Sequence, residues 1–390
     1  MKISFFSNYL NEHQLPLCQA WESMNGVEFT FVALSRQGGN AGRRNMNNEF
    51  PFVLREYEGE EPSRAALKHA IEDDLVIFGH MGGKEQYVRA RVCKGGLSFR
   101  MTERPLKKGY LWRFFPPKAV RMRNWFTRYG SKNMYILCAS AFATGDLSLC
   151  GWPISKCYRW GYFPDSGPFE SRVFSGREPV SILWASRFVD WKRPFAPLEL
   201  AKSLKDKGYN FRMTVAGDGP LRNKMISFID DNKLSDTVNM PGMLSGEETK
   251  KLMLQSDVFL ATSSCKEGWG VTVNEAMGAG CAVVASASIG SAPFLINDGC
   301  NGFLYDDLSD GDLAKKVCDL LDNRSLIEDF GVAAKKTIDS TWSAKIAANR
   351  LVMLAESIQA GDYCPFTAGP CSLSPSLENG WYHKKDDVVG

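Results

Sequence analysis

The feature that most constrains this chain is a regular alternation, between residues 180 and 285, of short apolar runs and longer helical patterns. The runs at 180–184, 211–216, 258–261 and 282–285 are apolar along most of their length, without the in–out alternation of a half-exposed sheet. Strands of that kind are covered on both faces, and strands separated by helices join through crossovers into a parallel sheet. Helical patterns at 194–207, 221–231, 246–255 and 271–278 supply those crossovers.

The first half shows the same rhythm less sharply, with candidate strands at 3–7, 27–34, 75–79 and 134–138. With 390 residues the chain is long enough for two domains, each with its own core. The reading is α/β, with two Rossmann-like domains facing across a cleft. The first spans 1–165. A linker at 166–179 holds Pro, Ser, Gly and charges without an apolar period, and the second domain spans 180–341. A terminal helix at 342–360 is expected to pack back towards the N-terminal domain. The tail at 361–390, rich in Pro, Ser and Gly, is expected to be loosely ordered. Sheets of this type bind ligands at the carboxyl ends of their strands.

Composition narrows the class further. At 44% hydrophobic and 23% charged residues the chain reads as globular. It has no apolar run of about 18 residues, the length that spans a membrane. The opening Met1-Lys2-Ile3-Ser4-Phe5-Phe6 is too short for a secretory signal, so a cytoplasmic protein is expected. The eleven cysteines are scattered without a Cys-x-x-Cys pair and there are four histidines, which makes zinc and disulfide frameworks poor readings. A net charge of +3 gives no reason to expect nucleic acid.

The chemistry concentrates in Glu267-Gly268-Trp269-Gly270-Val271-Thr272-Val273-Asn274-Glu275. Gly268 and Gly270 permit a tight turn and close approach of backbone to a ligand, and a helix follows from Val271. The first N–H groups of a helix lack internal partners and carry partial positive charge, which suits a diphosphate. Glu275 lies one turn inside that helix, within reach of a ribose, and Glu267 stands before the turn, towards a sugar. Glycines before a helix are common, so the motif alone leaves a plain structural turn equally open. Two further segments add to it. Arg187 and Lys192 sit on the loop after the strand at 180–184, where paired cations would neutralise a leaving diphosphate, although isolated loop cations are ordinarily just solvated. Gly217 and Gly219 make a second permissive turn after the strand at 211–216, with a plain strand–helix connection as the alternative.

Taken in order, Ser186-Arg187-Phe188-x-x-x-Lys192, Ala216-Gly217-Asp218-Gly219-Pro220, Pro241-Gly242-Met243-Leu244 and Glu267…Glu275 resemble the retaining family-4 glycosyltransferases of the GT-B fold, over roughly 180–321. The resemblance implies that Arg187 and Lys192 hold the diphosphate of a nucleotide-sugar donor. It implies that Glu267 contacts the transferred sugar, Glu275 the ribose, and the amides of Gly270, Val271 and Thr272 the phosphates. The segment from Asn239 to Met243 is similar to the loop that packs on the base. A UDP-sugar, retention of configuration, and transfer without metal or cofactor are the family's implications. Asp310-Gly311-Asp312, the sole Asp-x-Asp, reads as a helix start with acid in its first turn.

The first half departs from the commoner family pattern. Ser7-Asn8-Tyr9-Leu10 stands where many members place a glycine pair. With 98–104 and 160–164 it is similar to a subset acting in bacterial surface-polysaccharide assembly. Asn8, His13, Glu103 and Arg104 are candidates for the acceptor side, and His80, at the end of the strand at 75–79, for the catalytic site. A lone histidine after a strand is more commonly structural. The stretch 104–132 carries nine Lys or Arg and no acid, interleaved with aromatics. It would suit an anionic membrane surface on the inner face and a lipid-diphosphate-linked saccharide acceptor, or be a surface helix whose aromatics belong to the core. A non-hydrolysing sugar-nucleotide epimerase and a non-catalytic nucleotide-sugar binder share the architecture and compete with transfer.

Overall fold

The computed structural model describes residues 1–36, 44–165 and 178–383. They fall into two units, the first made of Met1–Asp165 with Thr341–Glu378, the second drawn from 166–340 and 379–390. The linker expected at 166–179 lies outside the described residues except for its last two.

In the first unit seven strands form one parallel sheet: β1 (Lys2–Ser7), β2 (Glu28–Ala33), β3 (Val53–Arg55), β4 (Leu75–Phe78), β5 (Ser98–Thr102), β6 (Met134–Cys138) and β7 (Cys157–Arg159). Their spatial order is β3-β2-β1-β4-β5-β6-β7. In the second unit β8 (Val180–Ala185), β9 (Phe211–Ala216), β10 (Val238–Gly242), β11 (Val258–Ala261), β12 (Ala282–Ser286) and β13 (Phe303–Tyr305) lie parallel in the order β10-β9-β8-β11-β12-β13. Counted within each unit, both sheets therefore begin 3-2-1-4-5-6, the Rossmann order. The direction of winding reverses between β1 and β4, and again between β8 and β11. The loops leaving such a pair diverge, and the crevice between them is where these sheets take ligands.

Sequence accounts for this locally. In β1 Ile3, Phe5 and Phe6 are buried, and in β8 Val180, Ile182, Leu183 and Trp184 are, so each central strand is apolar on both faces. The helix Gly246–Gln255 starts on a capping box in which the Ser245 hydroxyl and the Glu248 side chain satisfy each other's backbone N–H. Helix Ala344–Ala360 belongs to the first unit. Its buried face of Ala347, Ala348, Leu351, Leu354 and Ala355 is one helical stripe. There Trp21 of helix Leu15–Glu22 donates its indole N–H to the Ala348 carbonyl at 3.3 Å.

Two expectations need correction. The segment from Asn239 to Met243 is not a loop throughout. Val238–Gly242 is the edge strand β10, its pairing to β9 irregular between Asn239 and Gly242, and Pro241 is accommodated because an edge strand leaves N–H positions unpaired. The tail is also ordered as far as it is described. Arg159 N–H donates to the Ser372 carbonyl at 2.7 Å, Cys371 N–H to Arg159 at 2.8 Å and Ser374 N–H to Cys157 at 2.9 Å. These bonds satisfy the outer edge of β7, which no other strand covers among the described residues. In the second unit Trp381 donates to the Ala287 carbonyl at 2.9 Å and His383 meets Asp306 at 2.6 Å. Proline, serine and glycine suggest disorder by composition, yet they do not prevent backbone pairing at an exposed edge.

Candidate active site

The second unit's candidate residues lie on loops at the carboxyl edge of its sheet or just beyond them, except Asn239, which is the second residue of β10. After β8 the chain passes Arg187 and makes a short 3-10 turn at Asp190–Lys192. Arg187 is exposed, its guanidinium 5.3 Å from the centre of the Trp191 ring. Lys192 forms an ion pair with Glu267 from the loop after β11, with both side chains largely buried. The structure thus brings together two residues that lie 75 positions apart.

Thr262, which the sequence reading missed, holds this junction. Its hydroxyl accepts the Trp184 indole N–H at 2.7 Å and donates to the Lys192 carbonyl at 2.8 Å. Ser264 N–H donates to the Trp191 carbonyl at 2.8 Å. Arg193 follows at φ 49°, an unfavourable region for a side chain with a Cβ. Its guanidinium compensates by pairing with the Asp307 carboxylate at 2.8 Å and donating to its carbonyl at 3.1 Å. No local pattern announces Thr262 or Asp307, since their roles arise from loops far apart in sequence.

Gly270, at φ 87°, is the residue before helix Val271–Gly278. A Cβ there would sit 2.7 Å from Ile289 Cγ2, so both its conformation and its surroundings require glycine. The amides of Val271 and Thr272 open the helix and have no partner within it. Glu275 stands four positions after Val271, on the same face of the helix, and is partly exposed. Gly268 is buried; Trp269 is 1% exposed and donates its indole N–H to the Asn274 carboxamide at 2.7 Å. It therefore shapes the turn from inside and leaves backbone as the surface offered to a ligand.

Gly217 and Gly219 have a packing reason to be glycine. A Cβ on Gly217 would lie 1.9 Å from the Ser186 carbonyl oxygen, and one on Gly219 2.6 Å from that of Phe188. The loop after β9 is pressed against the loop that carries Arg187. Asn239 and Met243 are exposed on β10 and just after it. Asp312 receives the Asp306 N–H at 2.8 Å, so the Asp-x-Asp segment contributes to the loop after β13.

The first unit holds a cavity of about 820 Å³ at its own switch point, between the ends of β1, β4 and β5. Asn8, His80, Glu103 and Arg104 line it. His80 is exposed and, among the described residues, has no hydrogen-bonding partner. Asn8 accepts from the Ser7 hydroxyl at 3.2 Å, and Glu103 from the Tyr162 hydroxyl at 3.2 Å. His13 does not line the cavity; its ring lies 6.3 Å from that of Tyr162, which does. Arg104 reaches the cavity wall but is only 2% exposed. Its guanidinium pairs with Asp146 at 3.0 Å, and burial holds the Asp146 carboxyl above its ordinary range even so. Arg104 therefore offers the cavity little of its side chain, which Asp146 holds in place. Arg100, also missed, grips Glu85 with two bonds of 2.6 and 3.0 Å and donates to the Trp125 carbonyl at 2.9 Å. It thereby ties helix Pro116–Trp125 to the cavity.

The basic stretch divides in two. Phe126 and Tyr129 are core residues. Leu111, 81% exposed, and Phe114, 66% exposed, stand in solvent together with Trp112, Phe115 and Val120. Among the described residues no helix is long and apolar enough to cross a membrane.

Residues 170–337 match the family described as Glycosyl transferases group 1. The resemblance read over 180–321 is borne out at that level. The amylovoran biosynthesis glycosyltransferase AmsK of Erwinia amylovora is 27% identical over 240 residues, 60% of this chain and 58% of AmsK. The chain spans about half the length of the curated relatives it matches. Among solved structures, HepE of Anabaena in complex with UDP has a TM-score of 0.65 at 15% identity, covering 92% of this chain and 100% of HepE. The lipopolysaccharide outer core galactosyltransferase WaaB has a TM-score of 0.65 at 14% identity, covering 92% of this chain and 100% of WaaB. At such identity the likeness is one of fold, and it bears out the GT-B class read from the sequence.

Proposed function

We propose that this chain, a GT-B protein whose second unit matches the glycosyl transferases group 1 family, transfers a sugar from a UDP-sugar with retention of configuration. Its acceptor is a saccharide or lipid-linked saccharide of a bacterial surface polysaccharide. The observation that carries the reading is the cluster at the β8/β11 switch point: Arg187, the Lys192–Glu267 pair and the amides opening helix Val271–Gly278, which have no partner among the described residues. A departing diphosphate develops negative charge, and preorganised cations and helix-terminal amides stabilise it without reorganising. Arg187 and Lys192 supply the charge, Val271 and Thr272 the amides, and Glu275 takes the ribose hydroxyls. Glu267 orients Lys192 and receives hydroxyls of the sugar.

In the proposed step the bond from the anomeric carbon to the diphosphate oxygen breaks, and its electron pair leaves with UDP. The acceptor oxygen bonds to the face that the diphosphate leaves, and its proton passes to the departing phosphate oxygen. The step needs neither a covalent protein nucleophile nor a metal. The first unit's cavity takes the acceptor, with Asn8, His80 and Glu103 in contact. The exposed apolar residues at 111–120, with Arg113 and Arg123 beside them, rest on an anionic membrane surface. This reading is supported by the AmsK relative, by the fold shared with HepE bound to UDP, and by the switch-point geometry.

The test is an assay of UDP release from UDP-sugars with and without saccharide acceptors, with chelator present, followed by proton NMR of the product's anomeric coupling. Acceptor-dependent release and a product with the donor's anomeric configuration support it. Interconversion of the donor sugar without acceptor, or an inverted product, overturns it.

A further inference from the structure

Arg193 is the residue immediately after Lys192, and its backbone stands at φ 49° and ψ 57°, in the left-handed region. Glycine enters that region freely, whereas a residue with a Cβ stays there only where its surroundings hold it. Here the far end of the side chain is tied down. The guanidinium pairs with the Asp307 carboxylate at 2.8 Å and donates to the Asp307 carbonyl at 3.1 Å. The Asp307 side chain is 5% exposed and accepts the Ser288 hydroxyl at 2.5 Å. A carboxylate buried to that degree needs its partners, so the pair is more than a solvated surface contact.

The backbone end is tied as well. Arg193 N–H donates to the Asp190 carbonyl at 3.0 Å, and the Thr262 hydroxyl lies 2.8 Å from the Lys192 carbonyl and 3.3 Å from that of Arg193. Shortly afterwards begins helix Ala196–Asp206, whose Pro197, Leu198, Leu200, Ala201 and Leu204 are buried. That helix is fixed by packing, so a change of φ at Arg193 must be taken up on the other side, at Lys192. It would rotate the peptide joining the two residues, release the Thr262 bond and turn the Lys192 side chain away from Glu267. Two ion pairs on consecutive residues therefore depend on one turn: Lys192–Glu267, to the loop after β11, and Arg193–Asp307, to the loop after β13.

We infer that Arg193 is a positioning residue for the transfer: tied to Asp307, it holds the left-handed turn that aims Lys192 at Glu267 and at the donor diphosphate. For the diphosphate the inference rests on the transferase reading; for the Lys192–Glu267 pair it rests on geometry alone. Arg193→Gly would allow the turn without holding it, and Arg193→Ala would do neither. The expected order of function is parent, Arg193→Gly, Arg193→Ala. Backbone strain alone would instead put Arg193→Gly first and the parent level with Arg193→Ala.

The test has a ligand-free arm and a UDP arm. In the first, Tm shifts of Lys192→Ala, Glu267→Gln and the double variant give the coupling of that pair, as the departure of the double from the summed singles. The coupling should be present in the parent, smaller with Arg193→Gly and absent with Arg193→Ala. In the second arm UDP is titrated calorimetrically into the full chain. Arg193→Ala should weaken its binding about tenfold and Arg193→Gly less, and in a Lys192→Ala background Arg193→Ala should cost nothing further. Full coupling in the Arg193→Ala background overturns the positioning role, as does Arg193→Gly behaving like Arg193→Ala in either arm. An equal loss of UDP affinity with and without Lys192 overturns it too. UDP that fails to bind the parent, with the coupling pattern intact, sinks the donor reading and leaves the hold of Arg193 on Lys192 standing.

Discussion

The two units share a strand order and differ in how they use it. In the second, four loops at the carboxyl edge touch one another: Thr262 joins the ends of β8 and β11, Gly217 and Gly219 let the β9 loop press on the β8 loop, and Arg193 reaches Asp307 after β13. The result is a fixed array of cations and amides. In the first, the corresponding loops stand apart and leave a chamber of about 820 Å³, braced by the buried pairs Arg104–Asp146 and Arg100–Glu85. The same architecture thus gives interlocked loops in one unit and open space in the other, which on the proposed reading serve the diphosphate and the acceptor respectively. A preorganised array is the main source of transition-state stabilisation, whereas an acceptor site needs shape and contacts.

This contrast is sharpened by substitutions that separate rate from stability. Lys192→Ala should give the largest effect, about 10²–10³-fold in kcat, the loss typical of a removed electrostatic group. Glu267 is then left half-buried without its partner, so Lys192→Ala/Glu267→Gln should cost much less than the product of the single losses. Strict additivity in that cycle would break the claim that the pair acts as one unit.

Arg104→Met should act on stability instead. It leaves Asp146 buried and unpaired, a loss of about 3–5 kcal/mol, and should lower Tm by roughly ten degrees. The sign with pH follows from the Asp146 carboxyl, which burial already raises and the lost guanidinium would raise further. Its penalty applies while the folded protein must hold it ionised, above that raised value, and disappears as pH falls through it. The Tm gap between variant and parent should therefore narrow in acid; a gap that widens contradicts the assignment.

Gly217→Ala should cost about 2 kcal/mol or more, because its Cβ falls 1.9 Å from a carbonyl oxygen and the loops must part. Gly246→Ala, with open space around it, should be neutral or slightly stabilising. Melting curves with and without UDP check both, and UDP should protect the Gly217 variant less. His80→Ala is the smallest expected effect on activity, about tenfold in kcat/KM for the acceptor with UDP binding unchanged, the value of one lost hydrogen bond to a ligand. A change in UDP affinity in that variant would place His80 on the donor's side of the comparison.

The difference between the units also explains what could be read beforehand. Four of the second unit's six strands were legible, because buried parallel strands are continuous apolar runs, whereas β10, an edge strand interrupted by Pro241, read as a loop. β3, β7 and β13 have three residues each, too few to show a period. β5 was hidden because Arg100 interrupts its apolar pattern, and only Glu85 and the Trp125 carbonyl make that burial tolerable. The exposed aromatics at 111–115 could not be told from core aromatics at 126 and 129, since both follow basic residues at similar spacing. The pairing of 371–374 with β7 uses backbone groups alone, which side-chain composition does not report.

The most direct test of the central claim, that the donor diphosphate lies on the second unit's switch-point loops, is a calorimetric titration of UDP into the parent and Glu275→Ala. The Lys118→Gln/Arg121→Gln variant of the first unit serves as the control. The account predicts saturable binding to the parent, weakened about tenfold or more by Glu275→Ala and unchanged in the control. Equal affinity for parent and Glu275→Ala, or a loss confined to the first-unit variant, would contradict it.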